Sequence, residues 1–152
     1  MEPQAEYVLR TVEERGVRFV RLWFTDVLGS LKSFAITPAE LETALEEGMT
    51  FDGSAIEGYS RIQESDVLAV PDANTFEIVP WRGSDAPTAR MFCDIQHFNG
   101  DPFPGDPRHV LRRNLVAARE KGYTFFVGPE MEFYYFHSSD FPEPVDNAGF
   151  FD

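Results

Sequence analysis

A dense cluster of chain-breaking residues divides this sequence into two parts of unequal length. The cluster is Asn99-Gly100-Asp101-Pro102-Phe103-Pro104-Gly105, and glycine and proline at this density mark a loop. We therefore expect a first domain at residues 1–104 and the start of a second, truncated domain at 105–152. The second part holds too little structure for a domain of its own. It stops at Phe150-Phe151-Asp152 without an ending signal, which suggests a piece of a longer protein.

The first third of the chain predicts a helix, a β-hairpin and a second helix. Near the N-terminus, apolar residues recur at helical spacing, at Ala5, Val8, Leu9 and Val12. After Gly16, residues 17–24 form a β-rich run, and a turn at 25–29 leads to a second predicted strand at 30–36. Thr37-Pro38-Ala39-Glu40 is a capping-box signature for a helix that Gly48 would end.

Three more strands are predicted before the boundary. The runs 66–70 and 75–79, separated by Pro71-Asp72-Ala73-Asn74, are typical of another hairpin, and a strand at 88–95 follows. Strands and helices in this order indicate an α+β fold, in which a small sheet packs on a helix.

The second part predicts one helix and one strand. Asp106 and Pro107 are suited to start the helix, and Gly122 to end it. Its expected inner positions are Val110, Leu111, Leu115 and Ala118.

The strand that follows carries two carboxylates one residue apart, in Gly128-Pro129-Glu130-Met131-Glu132-Phe133. Alternate strand residues point to the same face, so Glu130 and Glu132 would lie roughly 6.6 Å apart on one face. Hard cations bind carboxylate oxygens at about 2.1–2.5 Å, so the pair could share one ion or hold two neighbouring ions. The alternative is a solvent-facing strand edge with two ordinary glutamates.

A second segment with chemical potential is Phe51-Asp52-Gly53-Ser54-Ala55-Ile56-Glu57-Gly58-Tyr59-Ser60-Arg61. Its glycines allow close approach to a ligand, but it lacks the Gly-Lys-Ser/Thr of a phosphate-binding loop. The alternative is a turn that the Asp52 side chain caps. The three histidines are isolated, so neither a histidine-rich metal site nor a Ser-His-Asp arrangement is predicted.

Charge and composition exclude several classes of partner. A formal net charge of −13 argues against binding to nucleic acid or to an anionic membrane. No apolar stretch approaches the roughly eighteen residues of a membrane span, and the N-terminus lacks the pattern of a signal peptide, so a cytoplasmic location is expected. The lone Cys93 lies in an apolar run and is predicted to be a buried, inert thiol.

Taken together, the chain resembles type I glutamine synthetase. The matching segments are Arg21-Leu22-Trp23-Phe24-Thr25-Asp26-Val27-Leu28-Gly29, Phe51-Asp52-Gly53-Ser54-Ala55-Ile56-Glu57-Gly58, Glu64-Ser65-Asp66 and Gly128-Pro129-Glu130-Met131-Glu132-Phe133. Proteins of that family are much longer. The resemblance therefore implies an N-terminal portion: a β-grasp-like domain followed by the first helix and strand of the catalytic domain.

The resemblance also implies an activity for the full-length protein, the ATP-dependent ligation of ammonia to glutamate through γ-glutamyl phosphate. Glu130 and Glu132 would each ligate one of two Mg²⁺ or Mn²⁺ ions. Asp52 would bind ammonium and accept its proton at the neighbouring subunit's site, while Ser54 and Arg61 would lie in the substrate-binding loop. The family forms ring-shaped homo-oligomers, so a dodecamer is implied for the full length, and the fragment alone is expected to be inactive.

Two departures from the family pattern leave alternatives open. The family usually has two serines after Asp-Gly, but here Ala55 occupies the second position and removes a hydroxyl near the amine site. Tyr59 also replaces a more usual Phe or Trp. A γ-glutamyl ligase for a larger amine such as a polyamine is compatible with these departures and remains an alternative. A non-catalytic interaction module that uses the small sheet domain is a separate alternative.

Overall fold

Six strands and four α-helices make up the regular structure of residues 2–57, 66–83, 85–141 and 143–145, the parts of the chain that this computed structural model describes. In chain order they are α1 (Pro3–Glu14), β1 (Phe19–Thr25), β2 (Leu31–Ile36), α2 (Pro38–Glu47), β3 (Met49–Asp52), α3 (Ser54–Glu57), β4 (Asp66–Pro71), β5 (Glu77–Ile78), β6 (Thr88–Gln96) and α4 (Pro107–Glu120). The α+β class predicted from the sequence is confirmed.

All six strands join one sheet, in the order β2-β1-β6-β4-β3, with β5 paired to β6 beside this path. Strand β1 runs parallel to β6, whereas every other pair of neighbours is antiparallel. The buried and less buried residues alternate along β1 and β6, so one face of the sheet forms the core with α1 and α2. The opposite face carries half-buried Trp23 and Phe92 with the Arg90 guanidinium 5.3 Å and 5.1 Å from their ring centroids.

The helices and the first hairpin agree with the sequence predictions. Helix α1 buries Ala5, Val8 and Val12, and β1 pairs with β2 as a hairpin. At the start of α2, the Glu40 carboxylate accepts hydrogen bonds from the Thr37 N–H (2.9 Å) and hydroxyl (3.0 Å).

Gly48 ends α2 as predicted. Its φ of +78° favours glycine, and a Cβ there would lie 3.2 Å from both the Ala69 carbonyl oxygen and Val70 Cγ2. The glycine therefore serves both the turn and the close packing of α2 on β4.

The second predicted hairpin, 66–70 with 75–79, is wrong. Strands β4 and β5 do not pair with each other but run along successive stretches of the same edge of β6. Between them, the Asp72 carboxylate accepts from the Asn74 N–H at 3.0 Å and starts a short 3₁₀ turn. The chain therefore turns away from β6 between β4 and β5. Two hydrogen bonds keep this turn attached to β6: the Asp72 N–H donates to the Phe92 carbonyl, and the Phe92 N–H donates to Thr75 Oγ1.

Helix α4 starts where predicted, but its apolar face is not an inner face in this chain. Val110, Leu111 and Leu115 are 37%, 55% and 38% exposed, and none of the helix residues is buried. The prediction fails because no layer of the described chain packs against that face.

Residues 123–135 have no regular secondary structure. The strand expected around Glu130 and Glu132 is therefore not paired into a sheet, since the described chain offers it no neighbouring strand. Both rows of its aromatic side chains are exposed: Phe133 and Tyr135 on one side are 68% and 72% exposed, and Tyr134 on the other is 78% exposed.

Cys93 is buried in the core, as predicted from its apolar surroundings. Burial raises the pKa of its thiol to about 12, so it stays protonated and inert near neutral pH. Among the described helices, none combines the length and the apolar character that crossing a membrane requires.

Candidate functional site

Asp52 lies at the end of β3, where the chain leaves the sheet. Its Oδ1 accepts a hydrogen bond from the Ser54 N–H at 2.9 Å, which is the side-chain-capped turn that the sequence left open as an alternative. The short helix α3 follows, with Ile56 fully buried in the core and its N–H bonded to the Gly53 carbonyl at 3.0 Å. We call residues 52–57 the Asp52 loop; Asp52, Ser54 and Ala55 are exposed on it.

The capped turn does not compete with a chemical role for Asp52. The buried Ile56 side chain attaches the loop to the core, so the exposed Asp52 carboxylate is held at the surface. An anion in this position can attract a cation and accept a proton.

Aromatic packing brings the Asp52 loop close to the first hairpin. The Phe51 ring lies 4.7 Å from the Phe24 ring of β1 and 5.7 Å from the Phe34 ring of β2, centroid to centroid. Because β3 and β2 occupy opposite ends of the strand order, these contacts require a strongly curled sheet. The curl closes the β1–β2 end of the sheet against the β3 end.

The turn between β1 and β2, residues 26–30, contacts this loop directly. Its Val27 N–H donates to the Ile56 carbonyl oxygen at 3.1 Å. Within the turn, buried Asp26 accepts from the Ser30 N–H (2.8 Å) and the Leu28 N–H (3.0 Å), and Lys32 Nζ lies 3.5 Å from its Oδ2. The Ser30 hydrogen bond is the main reason that the pKa of Asp26 is lowered.

Sequence reasoning interpreted Asp26 only as part of a turn and missed its place beside the Asp52 loop. Aspartate three residues before Gly29 is a turn signal, but it says nothing about which distant loop the turn will contact.

Glu130 and Glu132, the predicted metal ligands, are both exposed in the segment without regular structure. Their carboxylate oxygens are the donors that Mg²⁺ and Mn²⁺ prefer, so the donor chemistry fits such an ion. The described residues contain no group of three or more His, Cys, Asp or Glu able to hold a metal. These two glutamates could thus supply part of a ligand set, and the rest would have to come from elsewhere.

The structure brings Asp52 and Ser54 together in one loop and places Glu130 and Glu132 in another part of the chain, after α4. Arg61 and Tyr59, also singled out from the sequence, lie outside the described residues.

A network of ion pairs that the sequence did not reveal joins α4 to the sheet. Arg108 contacts Asp72 (2.5 Å) and Asp94 (3.5 Å), while Arg112 contacts Asp94 at 2.9 Å. Buried Asp106 accepts from the Ile95 N–H of β6 at 3.1 Å. These contacts cross the boundary predicted near residue 104 and fix α4 against the first part of the chain.

Comparison with known proteins gives two family matches along the chain. The model described as "Glutamine synthetase, beta-Grasp domain" matches residues 16–97, and "Glutamine synthetase, catalytic domain" matches residues 104–150.

Individual relatives agree. The glutamine synthetase of Mycobacterium tuberculosis is 57% identical over all of this chain, which covers 35% of that protein, and the one from Thermotoga maritima is 46% identical over 97% of the chain and 34% of that protein. A solved structure titled "GmaS/ADP complex" superposes with a TM-score of 0.66 at 29% identity, covering 75% of this chain and 26% of that one. The chain thus spans about a third of the length of the curated relatives it matches.

The β-grasp match alone extends over more than half of the sequence, and it falls on the part whose curled sheet, hairpin and Asp52 loop are described above. The chain belongs to the glutamine synthetase family.

Proposed function

We propose that this chain works as part of a longer protein that ligates ammonia to glutamate at the expense of ATP. The side-chain carboxylate of glutamate is first phosphorylated, and ammonia then displaces phosphate from γ-glutamyl phosphate to give glutamine. The observation that carries this proposal is the 57% identity, over the whole chain, with curated glutamine synthetases.

In this proposal Asp52 binds the ammonium ion and accepts its proton, so that neutral ammonia can attack. Two features support the role: the carboxylate is exposed, and the Ser54 N–H holds one of its oxygens in place. A positioned anion both attracts a cation and serves as a general base. Ser54 and Arg61 would contribute to the same substrate-binding loop, with the exposed Ser54 side chain offering a hydroxyl to the substrate.

Glu130 and Glu132 would each hold one divalent cation, Mg²⁺ or Mn²⁺. When bound, such cations neutralise the charge that develops on a transferring phosphoryl group. The support from this chain is the oxygen chemistry of two glutamates that stand one residue apart in the sequence; further ligands would come from the remainder of the protein.

We further propose that the full-length protein is a homo-oligomer, with a dodecamer as the expected form, in which Asp52 serves the active site of the neighbouring subunit. The exposed position of the Asp52 loop suits a residue that acts across an interface. Glutamate, ammonium and ATP are its proposed small-molecule partners. The fragment by itself would be inactive, because in this proposal the other metal ligands and the nucleotide site would lie outside it.

A second candidate is a γ-glutamyl ligase for a larger amine. Ala55 favours it: the side chain is exposed beside Asp52 and Ser54, and it presents a methyl group to the amine side of the loop instead of a hydroxyl. An amine screen on the full-length protein separates the candidates. Turnover with ammonium but not with polyamines supports glutamine synthesis, and the reverse preference supports the larger amine.

The role of Asp52 is tested with Asp52→Ala in the full-length protein. We expect kcat/KM for ammonium to fall strongly while the affinity for ATP and for the metal changes little. Asp101→Ala is the matched control, since it removes an exposed aspartate from a different turn. Loss of nucleotide affinity with unchanged amine dependence would show that the role assigned to Asp52 is wrong.

The metal role is tested with Glu132→Gln, which keeps the size of the side chain and removes its charge. We expect nearly all biosynthetic turnover to be lost at saturating Mg²⁺, while Glu120→Gln on the exposed surface of α4 leaves turnover intact. Near wild-type turnover for Glu132→Gln would refute the metal assignment. If Asp52→Ala also had no effect, the non-catalytic interaction module would be the better interpretation.

A further inference from the structure

We infer that Asp26 is a positioning residue for catalysis: it holds the β1–β2 turn in the shape that fixes the Asp52 loop. This inference rests on the proposed function of Asp52. It follows from a series of hydrogen bonds, joined by short stretches of backbone, that connects the Asp26 turn to the Asp52 carboxylate.

The first step is the turn itself. The Asp26 side chain is 12% exposed and accepts two backbone N–H groups of the turn, from Leu28 and Ser30. The Asp26 N–H also donates to the Ser30 carbonyl at 3.0 Å, and the Gly29 N–H donates to the Asp26 carbonyl at 3.0 Å. The nearly buried carboxylate therefore supplies two of the four hydrogen bonds that fix the path of residues 26–30.

The second step is the contact between the turn and the loop. The Val27 N–H donates to the Ile56 carbonyl oxygen at 3.1 Å, and the Ile56 N–H donates to the Gly53 carbonyl at 3.0 Å. The next N–H along the loop, that of Ser54, donates to Asp52 Oδ1. A shift of Val27 would thus displace the backbone groups that orient the Asp52 carboxylate.

The third step concerns what remains when Asp26 is replaced. The ring of Phe24, two residues before Asp26, packs at a tilt against the ring of Phe51, the residue before Asp52. Six residue pairs, from Val20↔Ile36 to Thr25↔Leu31, set the register of the hairpin. Aromatic packing and strand pairing therefore keep the hairpin and β3 together without the Asp26 carboxylate, so its loss should alter the loop geometry more than the fold.

The kinetic experiment compares Asp26→Ala, Asp26→Asn, Asp52→Ala and the double variant Asp26→Ala/Asp52→Ala in the full-length protein. We expect Asp26→Ala to lower kcat/KM for ammonium by about 10- to 100-fold, the size of effect that a displaced catalytic group produces, with KM for ATP and glutamate within about twofold. Asp26→Asn keeps one acceptor oxygen and should therefore lose less activity than Asp26→Ala. The double variant should be no worse than Asp52→Ala, because no catalytic carboxylate is left to position.

The control is Glu40→Gln, which removes a carboxylate that accepts a backbone N–H at the start of α2, away from the turn. It should cost stability without a selective change in ammonium use. A loss in Asp26→Ala that comes mainly from a raised KM for ATP or glutamate, that adds fully to the Asp52→Ala loss, or that Glu40→Gln reproduces would overturn the inference. So would a wild-type ammonium dependence in both Asp26 variants.

Hydrogen exchange, measured by mass spectrometry on Asp26→Ala, gives a readout that does not depend on activity. We expect faster exchange in residues 27–30 and 53–57 and unchanged exchange in β6; protection of 53–57 as in the wild type would refute the positioning role. The two proposals can fail separately. If Asp52→Ala leaves ammonium use intact, the role of Asp52 fails, whereas a selective Asp52→Ala defect with normal Asp26 variants overturns the positioning role alone.

Discussion

Replacing Asp106 with alanine is expected to destabilise the chain by about 2–4 kcal/mol, because one buried side chain makes two separate backbone hydrogen bonds. Oδ1 accepts from the Arg108 N–H at 3.0 Å and caps α4, and Oδ2 accepts from the Ile95 N–H of the central strand at 3.1 Å. Loss of an N-cap costs about 1 kcal/mol. A buried N–H left without its acceptor costs about 1–3 kcal/mol more.

Urea unfolding of the 152-residue chain, followed by the fluorescence of its two tryptophans, measures this loss. With a denaturant slope of about 2 kcal/mol per molar, the midpoint should fall by roughly 1–2 M. The urea midpoint of Asp106→Asn should fall about half as far, since asparagine caps helices as well as aspartate does but has a single acceptor oxygen.

Asp101→Ala is the matched control for the Asp106 variant. The Asp101 side chain is exposed, and it accepts from the Asn99 side chain in the preceding loop. Its removal should change stability by no more than about 0.5 kcal/mol. If Asp106→Ala unfolded at the same urea concentration as Asp101→Ala, the carboxylate would not be joining α4 to the sheet.

Four further outcomes are expected. Burial, the largest single effect, raises the pKa of Asp72, but the hydrogen bonds from Arg108 and Asn74 together with the Arg108 charge outweigh burial and lower that pKa. The stability lost in Asp72→Asn should therefore be full above about pH 5 and shrink as the pH falls below about 4. A pH-independent difference in urea midpoint would contradict this. Cys93 should react with a thiol reagent slowly in the native chain and rapidly in urea; fast native labelling would contradict its burial. Limited proteolysis should cleave within residues 123–141 earlier than within the sheet, and a tail as protected as the sheet would refute this. Sedimentation should show a monomeric or weakly associating chain, and a stable dodecamer would refute that expectation.

The elements that the sequence predicted correctly are those with local signals. The Thr37–Glu40 capping box, the glycine at 48 and the aspartate at 106 act within a few residues of their position, and the structure uses each as expected. The apolar run of β6 was long enough to predict a strand by itself.

The failures concern partners rather than elements. The two runs around Asp72 were recognised as strands, but whether they pair with each other or with β6 depends on a strand that comes later in the chain. In the same way, helical periodicity located the apolar face of α4 without showing what would cover it. Strand pairing and helix packing are set by distant residues, which a local pattern does not identify.

The same distinction applies to the candidate site. The turn at Asp52 could be predicted, because glycine and a short carboxylate act locally. The role of Asp26 could not, since it depends on a curled sheet that places the ends of β1 and β3 side by side. The Arg108 ion pairs were missed for the same reason: they join Arg108 to Asp94 and Asp72, which lie 14 and 36 positions away in the sequence.

The two proposed halves of the site therefore differ in what supports them. Hydrogen bonds, an aromatic cluster and the buried Ile56 hold the Asp52 loop, and all of these lie within this chain. Glu130 and Glu132 lie in a segment with neither strand partners nor a third ligand among the described residues. A substitution that disturbs the Asp52 loop should thus be detectable in this chain by hydrogen exchange, whereas the proposed metal site would need further ligands that the described residues do not supply.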